Sequence, residues 1–160
     1  MQETKEFPKM REIYGSLVFD QKAMKQRLPR DVYENLVGAI EGRQKLDSGI
    51  ADTVALAMKD WAVSKGASHW AHWFHPLTEL TAEKHTACVT ADDNGFPLES
   101  FRGQDLMQSE PDASSFPSGG TRSTFEARGY SAWDPTSPAF IIKSPKGGTL
   151  CIPSVFLAYD

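Results

Sequence analysis

The order of helical and strand patterns along this chain predicts an α+β fold, with two or more N-terminal helices and long ordered loops. Helical periodicity occurs before residue 66, and short strand patterns separated by long loops follow it. Helices and strands that occupy separate parts of a chain are typical of this class. The 160 residues suit one domain, which would bury roughly 68–70% of its extended surface. We expect residues 14–160 to form that domain and the charged, aperiodic residues 1–13 to be a flexible N-terminal arm.

Two helices are predicted from apolar periodicity and end signals. Asp31 and Glu34 have the spacing of a capping box, and the helix that they open should run to about Glu41. A second helix should begin near Asp47 or Ser48 and end before Gly66, a C′ glycine. The buried positions expected on these helices are Val32, Leu36 and Ile40 on the first, and Ile50, Val54, Ala57, Met58 and Trp61 on the second.

Strands are predicted over residues 15–19, 67–77, 139–142 and 150–152, with a further extended stretch around Val89. Pro76 should end the second of these strands. The sequence Asp93-Asn94-Gly95 predicts a tight turn, and residues 145–148 should form the turn between the last two strands.

Charge and composition argue against several classes of protein. The net charge is −4, from 17 basic and 21 acidic residues without a basic stripe, so we expect no nucleic-acid partner. No apolar run approaches the roughly 18 residues of a membrane span, and the N-terminus has no signal-peptide core, so we expect a cytoplasmic location. Cys88 and Cys151 are far apart in sequence, and we interpret them as reduced thiols.

Residues 110–140 are the most informative stretch. They are rich in Pro, Gly, Ser and Asp, which favour turns, but they also contain five aromatic residues: Phe116, Phe125, Tyr130, Trp133 and Phe140. A plain linker needs no such aromatics. The combination predicts ordered loops held by buried aromatic anchors, which is a frequent setting for functional sites.

Several motifs in this chain resemble glutamine synthetases. Residues 111–115, Pro-Asp-Ala-Ser-Ser, resemble the Phe-Asp-Gly-Ser-Ser loop of their N-terminal β-grasp domain. HWFHPLT at 72–78 and AEKH at 82–85 are similar to type III enzymes, and the resemblance runs from about Tyr14 to Asp160. It implies a β-grasp-like sheet. It also implies that the chain is the N-terminal portion of a longer glutamate–ammonia ligase and is inactive alone.

The same resemblance implies partners and cofactors. The substrates would be glutamate, ammonium and ATP, and Mg²⁺ or Mn²⁺ would be bound with ATP in a downstream barrel domain. This chain would bind no cofactor itself. Its neighbours would be identical subunits of a ring, a dodecamer by analogy with the family. A non-enzymatic β-grasp-like assembly or interaction module, with exposed aromatics around Trp133 as its surface, is the alternative.

Three residues are candidates for catalysis. By the resemblance, Asp112 and Ser115 line the ammonium site of a neighbouring subunit, where the carboxylate would hold the cation and accept its proton. On residue chemistry alone, Asp112 is more typical of an Asx-turn, and the resemblance favours the functional role. Asp134, followed by Pro135, resembles a Pro-Asp-Ala-Ser-Thr segment of the family but is also a turn initiator. Arg122 and Arg128 flank the loop, and a structural role suits them better.

Four histidines raise the question of a metal site. They are His69, His72, His75 and His85. On a strand, His69 and His75 share one face and His72 lies on the other, so three ligands would not converge. The pattern therefore favours histidines packed beside aromatic residues over a zinc site. Glu83 could orient His85, but no nucleophile accompanies that pair.

Overall fold

The structure is a computed structural model that describes residues 9–74, 96–109 and 129–158. The helices of these ranges precede or interrupt one mixed sheet, which confirms the α+β class. The described helices are α1 (Met10–Ile13), α2 (Gln21–Arg27), α3 (Arg30–Ile40), α4 (Ala51–Ser64) and α5 (Gly103–Met107). The short 3-10 helix Ser48–Ile50 leads into α4, and a second one, Leu98–Ser100, lies just before α5. None of the described helices has the length and apolar character needed to cross a membrane.

Helix α3 has the predicted buried face but a different start. Val32 and Leu36 are buried, and Ile40 packs against the core. The predicted capping box is wrong, because the N-cap is Pro29 and the helix begins one residue before Asp31. Glu34 therefore lies one turn beyond Arg30, and its carboxylate accepts a hydrogen bond from Arg30 Nε at 2.8 Å.

Helix α4 has its predicted C-terminal end, but it begins at Ala51, and the predicted start near Asp47 or Ser48 is that of the preceding 3-10 turn. Asp47 Oδ1 accepts from the Gly49 amide at 2.8 Å, at the 3-10 turn that leads into the helix. Gly66 has φ 87°, and the Ala67 amide donates to the Ala62 carbonyl at 2.9 Å. These are the features of a Schellman motif, in which a C′ glycine takes a left-handed conformation. The predicted buried face is confirmed at Val54, Ala57, Met58 and Trp61, with Ile50 partly buried.

The described sheet has six strands in the order β2-β1-β6-β4-β3, and β5 also pairs with β6. Strand β1 is parallel to β6, and all the other pairs are antiparallel. The strands are β1 (His69–Phe74), β2 (Phe96–Pro97), β3 (Gln108–Ser109), β4 (Gly129–Trp133), β5 (Phe140–Ser144) and β6 (Gly147–Ala158). This mixed sheet is consistent with the β-grasp label, which stays a prediction.

Strand β6 is the centre of the sheet. Along residues 149–154 one of its edges is occupied by β1. Strand β5 pairs with residues 147–151 and β4 with residues 154–158, so both occupy the opposite edge. Because a strand has only two edges, β5 and β4 lie end to end along β6. Side chains of Trp70, Leu150 and Ile152 on one face of the sheet pack with α4 to form the core.

The strand predictions succeeded best near the C-terminus. The prediction over 139–142 is confirmed from Phe140 and that over 150–152 in full, and both observed strands extend farther. The prediction over 67–77 is confirmed from His69 to Phe74; its remainder, with Val89 and the turn at residues 93–95, lies outside the described residues.

The prediction of a strand over 15–19 is wrong. The chain turns at Gly15, with φ 72°, and Val18 alone bridges to Phe140. Helices α2 and α5 were not predicted, because α2 buries only Met24 and α5 is too short to show a period. Residues 10–13, expected in the arm, form the short α1.

Candidate functional site: the base of the 110–128 connection

Most of the predicted site residues lie outside the described residues. These are Asp112 and Ser115, the flanking Arg122 and Arg128, and also His75 and His85. The structure describes both ends of the segment that carries Asp112. The connection over 110–128 leaves β3 after Ser109 and enters β4 at Gly129.

The two ends of this connection are neighbours in the sheet. Gln108 pairs with Ala132, and Ser109 pairs with Ser131, in antiparallel register. Paired residues in such a ladder have Cα atoms about 4.5–5.5 Å apart. The segment therefore leaves and re-enters the sheet at two adjacent strands, β3 at the edge of the described sheet and its neighbour β4. We call this β3–β4 pair the base of the connection.

The β4 side of this base is held by a long ladder and a buried aromatic ring. All five residues of β4 pair with β6, from Gly129 opposite Ala158 to Trp133 opposite Ser154. Trp133 is only 8% exposed and belongs to the core, which confirms the expected aromatic anchor at this position. The expectation that Trp133 is part of an exposed partner surface is wrong, since its position on the strand directs the ring inward.

The β3 side is held by α5, which docks closely on α4. The Gly103 amide donates to Asp52 Oδ1 at 2.9 Å. A Cβ atom at Gly103 would lie 2.5 Å from Asp52 Oδ1 and 2.6 Å from the Asp52 amide nitrogen, so this approach requires glycine. Leu106 is fully buried, and Asp105 Oδ2 accepts from the Arg102 amide at 2.9 Å at the start of the helix.

His72 joins β1, β6 and α5. The ring is 7% exposed; its Nδ1 lies 2.6 Å from Ser154 Oγ, and its Nε2 lies 2.5 Å from the Asp105 carbonyl oxygen. Burial lowers the pKa of His72 below its ordinary value of 6.5, against the raising effects of the Asp105 carbonyl and the Asp105 charge. The ring is therefore neutral near pH 7 and serves as a hydrogen-bonding group.

The histidines are arranged as the strand pattern predicted. His69 and His72 lie on opposite faces of β1; His69 Nδ1 contacts Ser68 Oγ at 2.8 Å, and the His72 ring packs 5.7 Å from Trp70. The expected packing beside aromatic residues is confirmed for His72. Within residues 9–74, 96–109 and 129–158, no group of three or more His, Cys, Asp or Glu side chains could hold a metal ion.

Asp134 lies in the turn that follows the end of β4 and precedes β5. Its Oδ1 accepts from the Thr136 amide at 3.0 Å and from the Thr136 hydroxyl, and its Oδ2 accepts from Ser137 Oγ at 3.2 Å. Its own amide donates to the Pro153 carbonyl at 2.9 Å. These contacts are those of a turn initiator. A catalytic role for Asp134 stays a prediction.

Pro153 lies in β6 opposite the point where the chain leaves the sheet, between the residues that pair with β5 and those that pair with β4. The amide and carbonyl of one strand residue point to the same edge, so the N–H that Pro153 lacks would face the gap between β5 and β4. The edge that pairs with β1 loses no hydrogen bond. A proline is thus tolerated in the central strand because it lies at an interruption of the ladder.

Sequence reasoning named His72 but missed its partners. Ser154 lies 82 residues beyond His72, and Asp105 lies on a helix too short to be predicted.

Cys151 is buried as a free thiol, and burial raises its pKa to about 12. Cys88, the other thiol, lies outside the described residues.

Comparison with known proteins gives the chain a family. The family described as glutamine synthetase type III N terminal matches residues 10–160. The chain is 48% identical over 151 residues to a glutamine synthetase of Bacteroides fragilis (strain YCH46), covering 94% of this chain and 20% of that protein. It is 46% identical over 153 residues to a type-3 glutamine synthetase of Dictyostelium discoideum, covering 94% of this chain and 21% of that protein.

A third relative is more distant. It is a glutamine synthetase of Butyrivibrio fibrisolvens, 29% identical over 155 residues. The chain spans about a fifth of the length of the curated relatives it matches. The family match covers nearly all of its residues, so the chain belongs to the glutamine synthetase type III N-terminal family.

Proposed function

We propose that this chain is part of an ATP-dependent glutamate–ammonia ligase and that its 110–128 connection contributes to the ammonium side of the active site. The observation that carries the proposal is the family match over residues 10–160, together with identities of 48% and 46% to two glutamine synthetases. The substrates are glutamate, ammonium and ATP. The ligase acts in the cytoplasm, and this chain has no ligase activity by itself.

ATP and its Mg²⁺ or Mn²⁺ ion bind outside the residues described here. The described ranges contain no cluster of side chains that could hold a metal, so none of them fits as a ligand set. By the resemblance to glutamine synthetases, we assign the nucleotide and the metal to a downstream domain of the full-length ligase.

Asp112 supplies the chemistry in this proposal. A carboxylate attracts an ammonium ion 4 Å away by about 4 kcal/mol at an effective dielectric constant near 20. It also accepts a proton, which leaves ammonia as the nucleophile. Ser115 donates a hydrogen bond that orients the carboxylate. Both act on the active site of a neighbouring subunit in a homo-oligomeric ring, for which we propose the family's dodecamer.

The base of the connection supports this role. Asp112 is three positions beyond Ser109, so chain connectivity keeps the two Cα atoms within about 11 Å. Ser109 belongs to β3, which is paired with β4 and linked to the core through α5. Asp112 is therefore tied by a short length of chain to a strand that is paired with β4 in the sheet.

The test is Asp112→Asn in the full-length ligase. A hydrogen bond to a charged group contributes about 1.5–3 kcal/mol, so the KM for ammonium should rise about 10- to 100-fold. The KM values for glutamate and ATP should not change. Asp60→Asn, an exposed substitution on α4, is the matched control and should leave all three unchanged. Unaltered ammonium kinetics in Asp112→Asn would refute the role.

Two further variants complete the series. Ser115→Ala should raise the ammonium KM less than Asp112→Asn does, because it removes only the orienting group. Asp134→Asn separates catalysis from turn formation: a catalytic residue would change ammonium kinetics at unchanged stability, and a turn residue would change stability alone. The alternative of a non-enzymatic module relied on exposed aromatics around Trp133, and Trp133 itself is buried and cannot belong to such a surface.

A further inference from the structure

His72 provides a link between the centre of the sheet and the short helix that precedes β3. It lies on β1, contacts Ser154 on β6 through Nδ1 at 2.6 Å, and contacts the Asp105 carbonyl on α5 through Nε2 at 2.5 Å. The contact with Ser154 is buried, since His72 is 7% exposed and Ser154 is 1% exposed, and the contact with Asp105 is partly buried. One ring thus connects three elements that are distant in sequence.

The chemistry of the two partners determines the proton positions. A carbonyl oxygen can only accept, so the proton of the neutral ring is on Nε2 and is donated to Asp105. Nδ1 then accepts from the Ser154 hydroxyl. Ser154 Oγ also lies 3.1 Å from the Ile152 carbonyl, so the hydroxyl could turn there if Nδ1 were protonated. The bond to Asp105 is present in either protonation state of the ring.

The Asp105 carbonyl needs such a donor because of its place in α5. The last four carbonyls of a helix have no partner within the helix, and Asp105 is the third residue of the five that form α5. Two residues later the helix ends, and the chain enters β3 directly at Gln108. His72 satisfies a free carbonyl just before the chain changes from helix to strand.

We propose that His72 is a positioning residue, which fixes the α5–β3 junction and so holds the start of the 110–128 connection. The consequence for ammonium binding rests on the function proposed above. Gly103 supports the same junction from the other end of α5, where its amide bonds to Asp52. His72 touches no substrate in this proposal and acts only through the strand that it holds.

The experiment compares variants of the full-length ligase that each keep one of the two hydrogen bonds made by the His72 imidazole. The Gln side-chain amide reaches the position of Nε2, so His72→Gln retains a donor to Asp105. The Asn amide reaches only the position of Nδ1, so His72→Asn retains the Ser154 contact and loses Asp105. Val32→Ala, at a buried core position of α3, serves as a control for general destabilisation.

The first measurement is amide hydrogen exchange in β3 and β4, at residues 108–109 and 129–133. His72→Asn should exchange there at least about tenfold faster than the parent, which corresponds to about 1.4 kcal/mol. His72→Gln and Val32→Ala should exchange there at rates close to the parent. Equal rates in His72→Asn and Val32→Ala would show that His72 is only a packing residue and would overturn the proposal.

The second measurement is the KM for ammonium, which should rise about three- to tenfold in His72→Asn at unchanged KM for glutamate and ATP. If Asp112→Asn raises this KM and His72→Asn does not, the positioning role is refuted while the proposed function stands. If Asp112→Asn has no effect, the proposed function fails. The exchange rates in β3 and β4 then decide the positioning role alone.

Discussion

At the scale of single residues, His72 shows how a buried ring makes stability depend on pH. Its pKa is lowered in the folded chain, mainly by burial. In the unfolded chain it returns to about 6.5. Between these two values the unfolded state binds a proton that the native state does not, so native stability is lost as the pH falls below about 6.5 and is fully present above it.

We therefore expect His72→Gln, which cannot titrate, to reduce the acid sensitivity of folding. Urea unfolding of the parent and the variant from pH 8 to pH 5 would measure it. The difference in unfolding free energy between parent and variant should be constant above about pH 7 and should shift in favour of the variant below about pH 6.5. Parallel pH profiles would contradict the burial effect on this ring.

At the scale of elements, the helix starts show that a capping motif depends on where the first turn begins. Asp20 is a true N-cap of α2, and its Oδ1 accepts from the Ala23 amide at 2.9 Å. Asp31 belongs to the first turn of α3, whose N-cap is Pro29. Of Asp20 and Asp31, it is Asp20 whose side chain satisfies a backbone donor that would otherwise lack a partner.

A matched pair of substitutions tests this difference. Asp20→Ala should lower the free energy of unfolding by about 1 kcal/mol, the usual cost of losing an N-cap. Asp31→Ala should lower it by roughly 0.3–0.5 kcal/mol, because only the favourable interaction with the helix dipole is lost. Chemical denaturation of both variants gives the comparison. A larger loss in Asp31→Ala would restore the capping-box interpretation.

At the scale of the whole molecule, the core joins the early helices to one face of the sheet. Trp61 of α4 is 3% exposed and packs against Phe19 with ring centroids 5.2 Å apart. Phe19 in turn donates its amide to Ala139, just before β5. This aromatic pair connects the helical half of the chain to the sheet.

Trp61→Ala should therefore destabilise the domain by about 3–5 kcal/mol, from lost burial and from the cavity that remains. Trp61→Phe keeps a ring against Phe19 and should cost less. Urea denaturation followed by far-ultraviolet circular dichroism measures both without relying on the indole fluorescence. A loss below about 1 kcal/mol in Trp61→Ala would mean that the surrounding side chains collapse into the space.

Local signals in the sequence were sufficient for the fold class, the C-terminal end of α4, the buried faces of α3 and α4, and the last two strands. Periodicity, caps and turn residues act over a few positions, so they can be interpreted without knowing the rest of the fold. The motifs at 72–78, 82–85 and 111–115 also identified the family that residues 10–160 match. The roles of Asp112, Ser115 and Asp134 stay predictions.

Only the tertiary structure decided the arrangement at the base of the 110–128 connection. The bond between His72 and Ser154 spans 82 positions, and that between Gly103 and Asp52 spans 51. No local pattern records such pairs, because they depend on how β1, β6 and two helices pack together. The same holds for Trp133: an aromatic residue in a turn-rich stretch was compatible with an anchor or an exposed surface, and its pairing with β6 directs it into the core.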